Sequence, residues 1–379
     1  MNQLNKNIEN SLNRILVQEL HECRGLSPDA YTDADFFEVE REVILKSNWQ
    51  CVGRAEELAN PGDYLSLDLL GVPLLVTKNK AGEIQAMANV CQHRSAQLVE
   101  HGCGNKKAFS CPYHGWTYDS NGQLISVPLA DGFCKLKKDE VHLQKFAVEI
   151  WEGFILVNFN SEAKSVSELL KPLAEAVAPW KLSEVKIVNS MVRKNLPFNW
   201  KVMTENFLEM YHVLYTHKNT LEPTFPTRDA YQFVTGEGFT TLGGKIAAEK
   251  DELFSLDLVT DPITKDSGHA FAIFPNFLFA VFPTNTTWVR IVPTSARTMD
   301  MELVTMQHPD FMKSGPEAEA EIKTWRDSLE IIQGEDEFVC EAVQKGLESG
   351  FGVESRIGFY DQTSYDFVKW YAEKFKAVM

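Results

Sequence analysis

Four residues within one short stretch have the types and spacing to hold a metal cluster. Cys91-Gln92-His93-Arg94 is followed by Cys111-Pro112-Tyr113-His114-Gly115-Trp116, a pattern of C-x-H-x17-C-x2-H. Each half offers one thiolate and one imidazole. Two such loops suit a 2Fe-2S centre in which one iron takes Cys91 and Cys111 and the other takes His93 and His114. Neutral imidazoles in place of two thiolates leave that cluster less negative and raise its potential. Zinc is a competing occupant, although a Cys2His2 zinc site ordinarily pairs Cys with Cys and His with His. A chance gathering of core residues is the other reading. Cys23, Cys51, Cys103, Cys134 and Cys340 have no metal spacing and read as buried thiols.

A second set lies further along the chain. Asn199 to His212 reads as a helix and is followed by Val213-Leu214-Tyr215-Thr216-His217. Glu209 and His212 share a helical face. His212 and His217 are five apart, about 140° out of phase on an ideal helix, so both reach one ion only if the helix ends or bulges between them. Two histidines engaged only in hydrogen bonds are the alternative. Asp336, about 120 residues downstream, is the candidate third ligand. It sits on a helix expected from about Glu317 to Glu348, on the stripe formed by Trp325, Leu329, Ile332, Val339, Val343 and Leu347. A carboxylate there is costly to bury unless paired or bound to a cation, and a buried salt bridge is the competing explanation. Glu335 and Glu337 read as flanking polar residues, with Glu335 a substitute for Asp336. Two histidines and one carboxylate on one face of an octahedral ion leave three positions open, as in non-haem Fe(II) sites that bind O2 and substrate together. Such an iron needs electrons, which a 2Fe-2S centre supplies one at a time.

The surrounding elements must position these sets. Residues 1–48 read as a helical arm, with Ile8, Leu12, Ile15 and Leu16 on one face and a second helix near Asp35 to Lys46. Residues 49–159 read as a small β-domain, its runs being Tyr64–Leu69, Pro73–Thr77, Ile84–Val90, Trp116–Tyr118, Leu124–Val127 and Gly153–Asn158, with Asn121-Gly122 as a hairpin signal. Residues 160–379 read as a larger α+β domain built on an antiparallel sheet with helices on one side. Its expected elements are a helix from Ser165 to Val177, strands around Lys186–Leu196 and Phe271–Pro293, and the long carboxylate helix.

Composition narrows the partners. With 379 residues and 37 basic against 53 acidic side chains, the net charge is −16. Nucleic acid and anionic membranes are therefore not expected partners, since both demand clustered Lys and Arg. The N-terminal stretch has no basic region followed by an apolar one, and the most apolar run, Phe271 to Phe282, is broken by Pro275 and Asn276. Neither a signal peptide nor a membrane span is expected. Seven scattered cysteines do not form a secreted disulfide framework. The cytoplasm is the expected compartment.

The two metal-binding sets, in this order, resemble the large (oxygenase) subunit of the Rieske non-haem iron oxygenases from about Trp49 to Lys374. The Pro-Tyr-His-Gly-Trp run, the Gly153-Phe154-Ile155-Leu156-Val157 strand and Asn199-Trp200-Lys201 before the metal helix carry the resemblance. It implies a Rieske-type β-domain placed before the catalytic domain, with a 2Fe-2S cluster and mononuclear Fe(II), the iron held by His212, His217 and Asp336. It also implies Glu209 as a carboxylate bridging His212 to the counterpart of His114 in a neighbouring subunit, and Asn206 lining the iron pocket. The partners implied are O2, a small organic substrate and a separate flavin and iron-sulfur reductase that delivers NAD(P)H electrons. Glu209 as the bridge, the short chain and the run Glu335-Asp336-x-x-x-Cys340-Glu341-x-Val343-Gln344-x-Gly346-Leu347-x-Ser349 resemble the choline, glycine betaine and carnitine monooxygenase group. That likeness favours a homotrimer without a β-subunit and hydroxylation of an N-methyl or quaternary ammonium compound, with demethylation or C–N cleavage. An aromatic-ring mono- or dioxygenase acting on an aromatic acid is the alternative. A pure Rieske electron carrier is disfavoured by some 220 further residues. Phe271, Phe274, Phe277, Phe279, Phe282 and Trp288 form either a cation-binding wall or a sheet core.

Overall fold

The computed structural model describes residues 5–247, 267–282 and 284–377. The chain divides into two compact units, Lys46–Glu168 and a second made of Met1–Leu45 with Leu169–Met379. The edges read from the sequence, 48/49 and 159/160, compare with 45/46 and 168/169 here.

The unit Lys46–Glu168 is built on a seven-stranded antiparallel sheet in the order Gln50–Arg54, Phe154–Asn158, Lys145–Trp151, Ile84–Ala88, Val72–Lys78, Asp63–Leu69, Gly102–Asn105. Leu74, Leu75 and Val76 are buried in its centre, and Leu75 pairs with Met87 across the ladder. A second, three-stranded sheet holds Ala108–Ser110, Thr117–Asp119 and Leu124–Ser126. The Asn121-Gly122 turn joins the last two as expected. Gly122 has φ +79°, and a Cβ there would stand 3.0 Å from Met87 Sδ and 3.2 Å from Leu143 Cβ. Strands Gln50–Arg54, Gly102–Asn105, Ala108–Ser110 and Lys145–Trp151 lie outside the expected runs. Gly102–Asn105 is exposed and nearly without apolar residues, so only its ladder with Asp63–Ser66 makes it a strand.

The other unit is built on a second seven-stranded antiparallel sheet, ordered Lys186–Leu196, Thr298–Gln307, Thr286–Ser295, Phe277–Val281, Ser267–Ile273, Phe239–Lys245, Ala230–Tyr231. The expected run Phe271–Pro293 resolves into three of these strands. Phe271, Phe274, Phe277, Phe279 and Trp288 are buried, and Phe271 stacks on Phe279 at 4.7 Å; they are sheet core. The carboxylate helix spans Gly315–Glu348. A further helix, Gln362–Lys376, was not expected; it buries Phe367, Val368, Tyr371 and Phe375 and packs on the helix Lys6–Val17. That N-terminal helix buries Ile8, Leu12 and Ile15. The helix expected from Ser165 is two pieces, Val166–Leu169 and Lys171–Val177, interrupted at Leu170. The one expected near Asp35–Lys46 is α-helical over Ala34–Glu40 and then widens to a π-turn over Arg41–Leu45.

Glu40, at that junction, is fully buried. Its carboxylate takes Lys201 Nζ at 2.6 Å, Trp200 Nε1 at 2.9 Å and the Tyr371 hydroxyl. Burial pulls the Lys201 ammonium below its ordinary pKa, against the pull of Glu40. The Trp-Lys pair that opens the helix Trp200–Phe207 is thereby pinned to the N-terminal arm.

Candidate metal centres

The cluster candidates sit on two matching turns. Ser95 N donates to Cys91 O and Gly115 N to Cys111 O, both at 3.0 Å. The residue that closes each turn is left-handed, Ser95 at φ +56° and Gly115 at φ +72°. Cys91 and Cys111 are buried in a cluster with Trp116, Tyr118, Leu75 and Met87. The His93 and His114 rings lie 4.6 Å apart, and His93 stacks on Trp116 at 4.9 Å. His93 Nδ1 is buried without a hydrogen-bond partner among the described residues, which suits a nitrogen kept for a metal. Burial, with His114 and Arg94, holds the His93 imidazole below its ordinary pKa and so favours the neutral, ligating form. Tyr118 Oη accepts from Gln92 N at 3.0 Å and lies 3.5 Å from Cys91 Sγ. His114 is exposed at the surface of this unit. Cys23 and Cys340 are buried as expected, but Cys103 and Cys134 are exposed, on the polar strand Gly102–Asn105 and a surface turn.

The second set is brought together by an interrupted helix. Trp200–Phe207 starts on the Asn199 side chain, which accepts from Lys201 N at 2.9 Å. It ends earlier than expected, before Glu209: Leu208 O is taken by the Thr363 hydroxyl, and Thr227 Oγ1 donates to Met210 O at 3.0 Å. A 3-10 turn follows at His212–Leu214. This break removes the phase mismatch between the two histidines. One ligating atom from each of His212, His217 and Asp336 falls within 4.8 Å of the others. His217 Nε2 is 2.9 Å and His212 Nε2 3.4 Å from Asp336 Oδ1.

The opposite ring nitrogens are each held by another carboxylate. Glu209 Oε1 meets His212 Nδ1 at 2.6 Å while its Oε2 accepts from His212 N at 2.9 Å. Glu335 Oε2 meets His217 Nδ1 at 2.7 Å and is held by Thr220 Oγ1 at 2.7 Å. Glu335 is therefore a brace for His217, one residue before the Asp336 position for which it could have substituted. Two imidazoles that turn Nε2 toward a shared point need two partners at Nδ1, and that rule is the signal that could have found it. Burial opposes protonation of His212, but hydrogen bonds and charge from Asp336 and Glu209 carry it up to about 9. His217 is raised in the same way by Asp336 and Glu335 against burial. Burial would raise Asp336, yet the two histidines hold it below the usual carboxylate range. Three electron-pair donors so strongly drawn to positive charge fit a divalent cation.

The buried line of the carboxylate helix differs from the expected apolar stripe. Its buried residues are Gln333, Asp336, Cys340 and Gln344, whereas Val343 is half exposed. A cavity of about 200 Å³ opens beside the ligand atoms, lined by Asn206, Glu209, Phe225, His269, Phe282 and Gln333, with Leu329, Ile332 and other aliphatic residues. Of the expected aromatic wall only Phe282 reaches it. Glu209 and Asp336 are the carboxylates among its described lining residues, and neither Lys nor Arg is present there.

Known proteins share both halves of this chain. The Rieske [2Fe-2S] domain description matches residues 48–147, and that of the ring hydroxylating alpha subunit (catalytic domain) matches residues 175–377. The carnitine monooxygenase oxygenase subunit of Acinetobacter pittii (strain PHEA-2) is 30% identical over 360 residues, covering 90% of this chain and 92% of that protein. The chloroplastic choline monooxygenase of Atriplex hortensis is 30% identical over 84% of this chain and 70% of its own length. A crystal structure of a quaternary ammonium Rieske monooxygenase with an inhibitor superposes with a TM-score of 0.83, at 24% identity, over 98% of this chain and 99% of that one. No helix among the described residues is long and apolar enough to cross a membrane.

Proposed function

The chain belongs to the Rieske non-haem iron, or ring-hydroxylating, oxygenases as an alpha (oxygenase) subunit, and from that premise we propose that it hydroxylates a small quaternary ammonium or N-methyl compound. The observation that carries the substrate reading is a cavity whose described lining is mostly apolar and holds neither Lys nor Arg. Its volume of about 200 Å³ has room for a small molecule beside the candidate ligand atoms. An aromatic carboxylate would meet no Lys or Arg among those lining residues. A trimethylammonium head suits the mostly apolar walls, to which Phe225 and Phe282 contribute aromatic rings.

We assign Cys91, Cys111, His93 and His114 as cluster ligands and His212 Nε2, His217 Nε2 and an Asp336 oxygen as ligands of mononuclear iron. When bound, the cluster supplies single electrons and the iron binds and activates O2 beside the substrate. The protein's own part is positional. Glu209 and Glu335 fix the ring planes of His212 and His217, the aliphatic walls exclude bulk water, and Asn206 lines the cavity beside the reacting carbon. Consumption of one O2, two electrons and two protons per C–H bond leaves a hydroxyl on carbon and one water. A hydroxyl on the carbon next to ammonium nitrogen collapses to an aldehyde and an amine.

The electrons come from a separate NAD(P)H-dependent flavin and iron-sulfur reductase. We further propose a cytoplasmic homotrimer without a β-subunit, in which His114 of the partner subunit meets Glu209. Exposed aromatic residues on each unit support this contact: Tyr113 beside His114, and, near Glu209, Tyr215 (88% exposed) and Tyr211, which stacks on Tyr360 at 6.2 Å. The test is a single turnover of reduced, iron-loaded protein with isotopically labelled O2 and a panel of carnitine, choline and benzoate, read by mass spectrometry. Aldehyde and amine from an ammonium compound are the expected products. A labelled hydroxyl on the benzoate ring, with the ammonium compounds untouched, would replace the substrate reading with the aromatic one.

A further inference from the structure

Four side chains of the carboxylate helix are buried, and three have their polar atoms accounted for. Asp336 meets both histidines. Gln344 accepts from Asn199 N at 3.0 Å and donates to Glu348 Oε1 at 2.9 Å. Cys340 is a thiol, which costs little to bury. Gln333, the fourth, is 93% buried, since only 7% of it is exposed, and its Nε2 is buried without a hydrogen-bond partner among the described residues. It lines the cavity and stands one turn before Asp336 on the same line of the helix.

A buried primary amide with no partner costs about 1–3 kcal/mol relative to a paired one. An apolar residue of similar length would avoid that cost, and the neighbouring positions Leu329 and Ile332 are apolar. The cost is recovered when a ligand brings the acceptor. We propose that Gln333 is the residue that recognises the polar end of the substrate, donating a hydrogen bond from Nε2 to a carboxylate, carbonyl or hydroxyl oxygen of the molecule whose C–H bond is oxidised. Three residues along a helix rise about 4.5 Å, so that oxygen lies roughly one helical turn from the Asp336 end of the cavity. The substrate class is then a small molecule with an apolar or cationic end to be oxidised and an uncharged or anionic oxygen at its other end. This inference rests on the reading of the cavity as the substrate site, and it is independent of whether the oxidised end is an ammonium group or a ring.

The experiment uses two matched pairs of probes and the iron-loaded, full-length protein. Carnitine and butyltrimethylammonium share a four-carbon ammonium frame and differ in the oxygens it carries; benzoate and toluene differ likewise on a ring. Dissociation constants are measured by calorimetry for wild type and Gln333→Met, together with iron content and the melting temperature of substrate-free protein. The expected result is that Gln333→Met keeps its iron and a melting temperature at or above wild type, because an unpartnered amide has been removed. Affinity for the oxygen-bearing member of the pair that binds falls about tenfold, while its oxygen-free partner is unchanged. A lowered melting temperature with equal losses for both members would make Gln333 a packing residue and overturn the proposal. So would unchanged affinities, or wild-type protein that binds neither carnitine nor benzoate. If only the aromatic pair binds and benzoate alone loses affinity, Gln333 keeps its role and the quaternary ammonium reading falls.

Discussion

As we assign them, the cluster loops and the His212–His217–Asp336 centre share a task, holding donor atoms still around a metal, and solve it by different means. In the loops the backbone does the holding. Each cysteine opens a tight turn closed by its own carbonyl, with a left-handed residue at the same place in both, and the Tyr118 hydroxyl is the one side chain that approaches a ligating sulfur among the described contacts. At the second centre His212 O and His217 O also accept a backbone bond from four residues on, at 2.7 and 3.0 Å, but the helix stops before Glu209 and Asp336 lies far along the chain. There side chains hold the rings, through Glu209 on His212, Glu335 on His217 and Thr220 on Glu335. A backbone-built site is expected to fail as a whole. A side-chain-built one is expected to weaken in steps.

The largest effects test whether the two sites stand apart. Asp336→Ala removes the only carboxylate among the three converging atoms and is expected to abolish mononuclear iron and lower turnover by about a thousandfold or more, equivalent to roughly 4 kcal/mol. The visible spectrum of the cluster should persist. Cys111→Ser should do the reverse, bleaching the protein while Fe(II) still binds at the other site. Metal analysis and absorbance read both, and loss of colour in the Asp336 variant would end the separation.

Next in size is Glu40→Ala. It strands the Lys201 ammonium, fully buried, and leaves Trp200 Nε1 and the Tyr371 hydroxyl unpaired. Breaking a buried pair from one side costs about 3–5 kcal/mol. Chemical denaturation should show a loss of that order, with the helix Trp200–Phe207, and hence the iron site, released first. A change under 1 kcal/mol would mean that the arm is not what anchors that helix.

The same contrast explains what the sequence reveals. Cys91, His93, Cys111 and His114 are legible because a backbone-built site needs fixed spacing, and the matching halves print that spacing in the chain. His212, His217 and Asp336 are legible only through their residue types and the resemblance, since nothing in the spacing of His212 and His217 announces where the helix will break. Glu335 and Gln333 are less legible still. The expected stripe on the carboxylate helix follows apolar residues, yet the buried line is Gln333, Asp336, Cys340 and Gln344, because this helix buries its face against a polar site rather than against a hydrophobic core. Periodicity reports burial only when burial is apolar. Strand Gly102–Asn105 escaped for the related reason that its pairing partner, not its composition, makes it a strand.

Acidity offers a graded test. In metal-free protein the His212 imidazole is carried up to about 9, so below that pH the iron must displace a proton. Affinity for Fe(II) is therefore expected to fall on acidification, by up to about tenfold per pH unit for one proton, and to level off above about pH 9. His217, raised as well, steepens the slope. His93 is shifted the opposite way, so cluster retention should not follow this slope between about pH 6 and about pH 8. Anaerobic Fe(II) titrations with parallel absorbance measurements compare the two sites, and equal slopes would erase the distinction.

The smallest effects come from removing one brace on each side. Glu335→Gln keeps the side chain's length but weakens its hold on His217 Nδ1, and loss of such an outer-shell partner typically costs 10–100-fold in metal affinity. Tyr118→Phe removes the hydroxyl beside Cys91 Sγ. A hydrogen bond to a ligating sulfur stabilises the more negative, reduced cluster, so its loss should lower the potential. A net bond of about 0.5–1.5 kcal/mol corresponds to roughly 20–60 mV for one electron. The asymmetry is the point of the pair: the Tyr118 variant should keep its cluster stoichiometrically and change only its potential, because the turns still hold both cysteines. The Glu335 variant should lose metal, because the turn that follows His217 fixes its backbone but leaves the plane of the ring to that carboxylate. A Tyr118→Phe protein that sheds its cluster would show that the hydroxyl, not the backbone, fixes the loop.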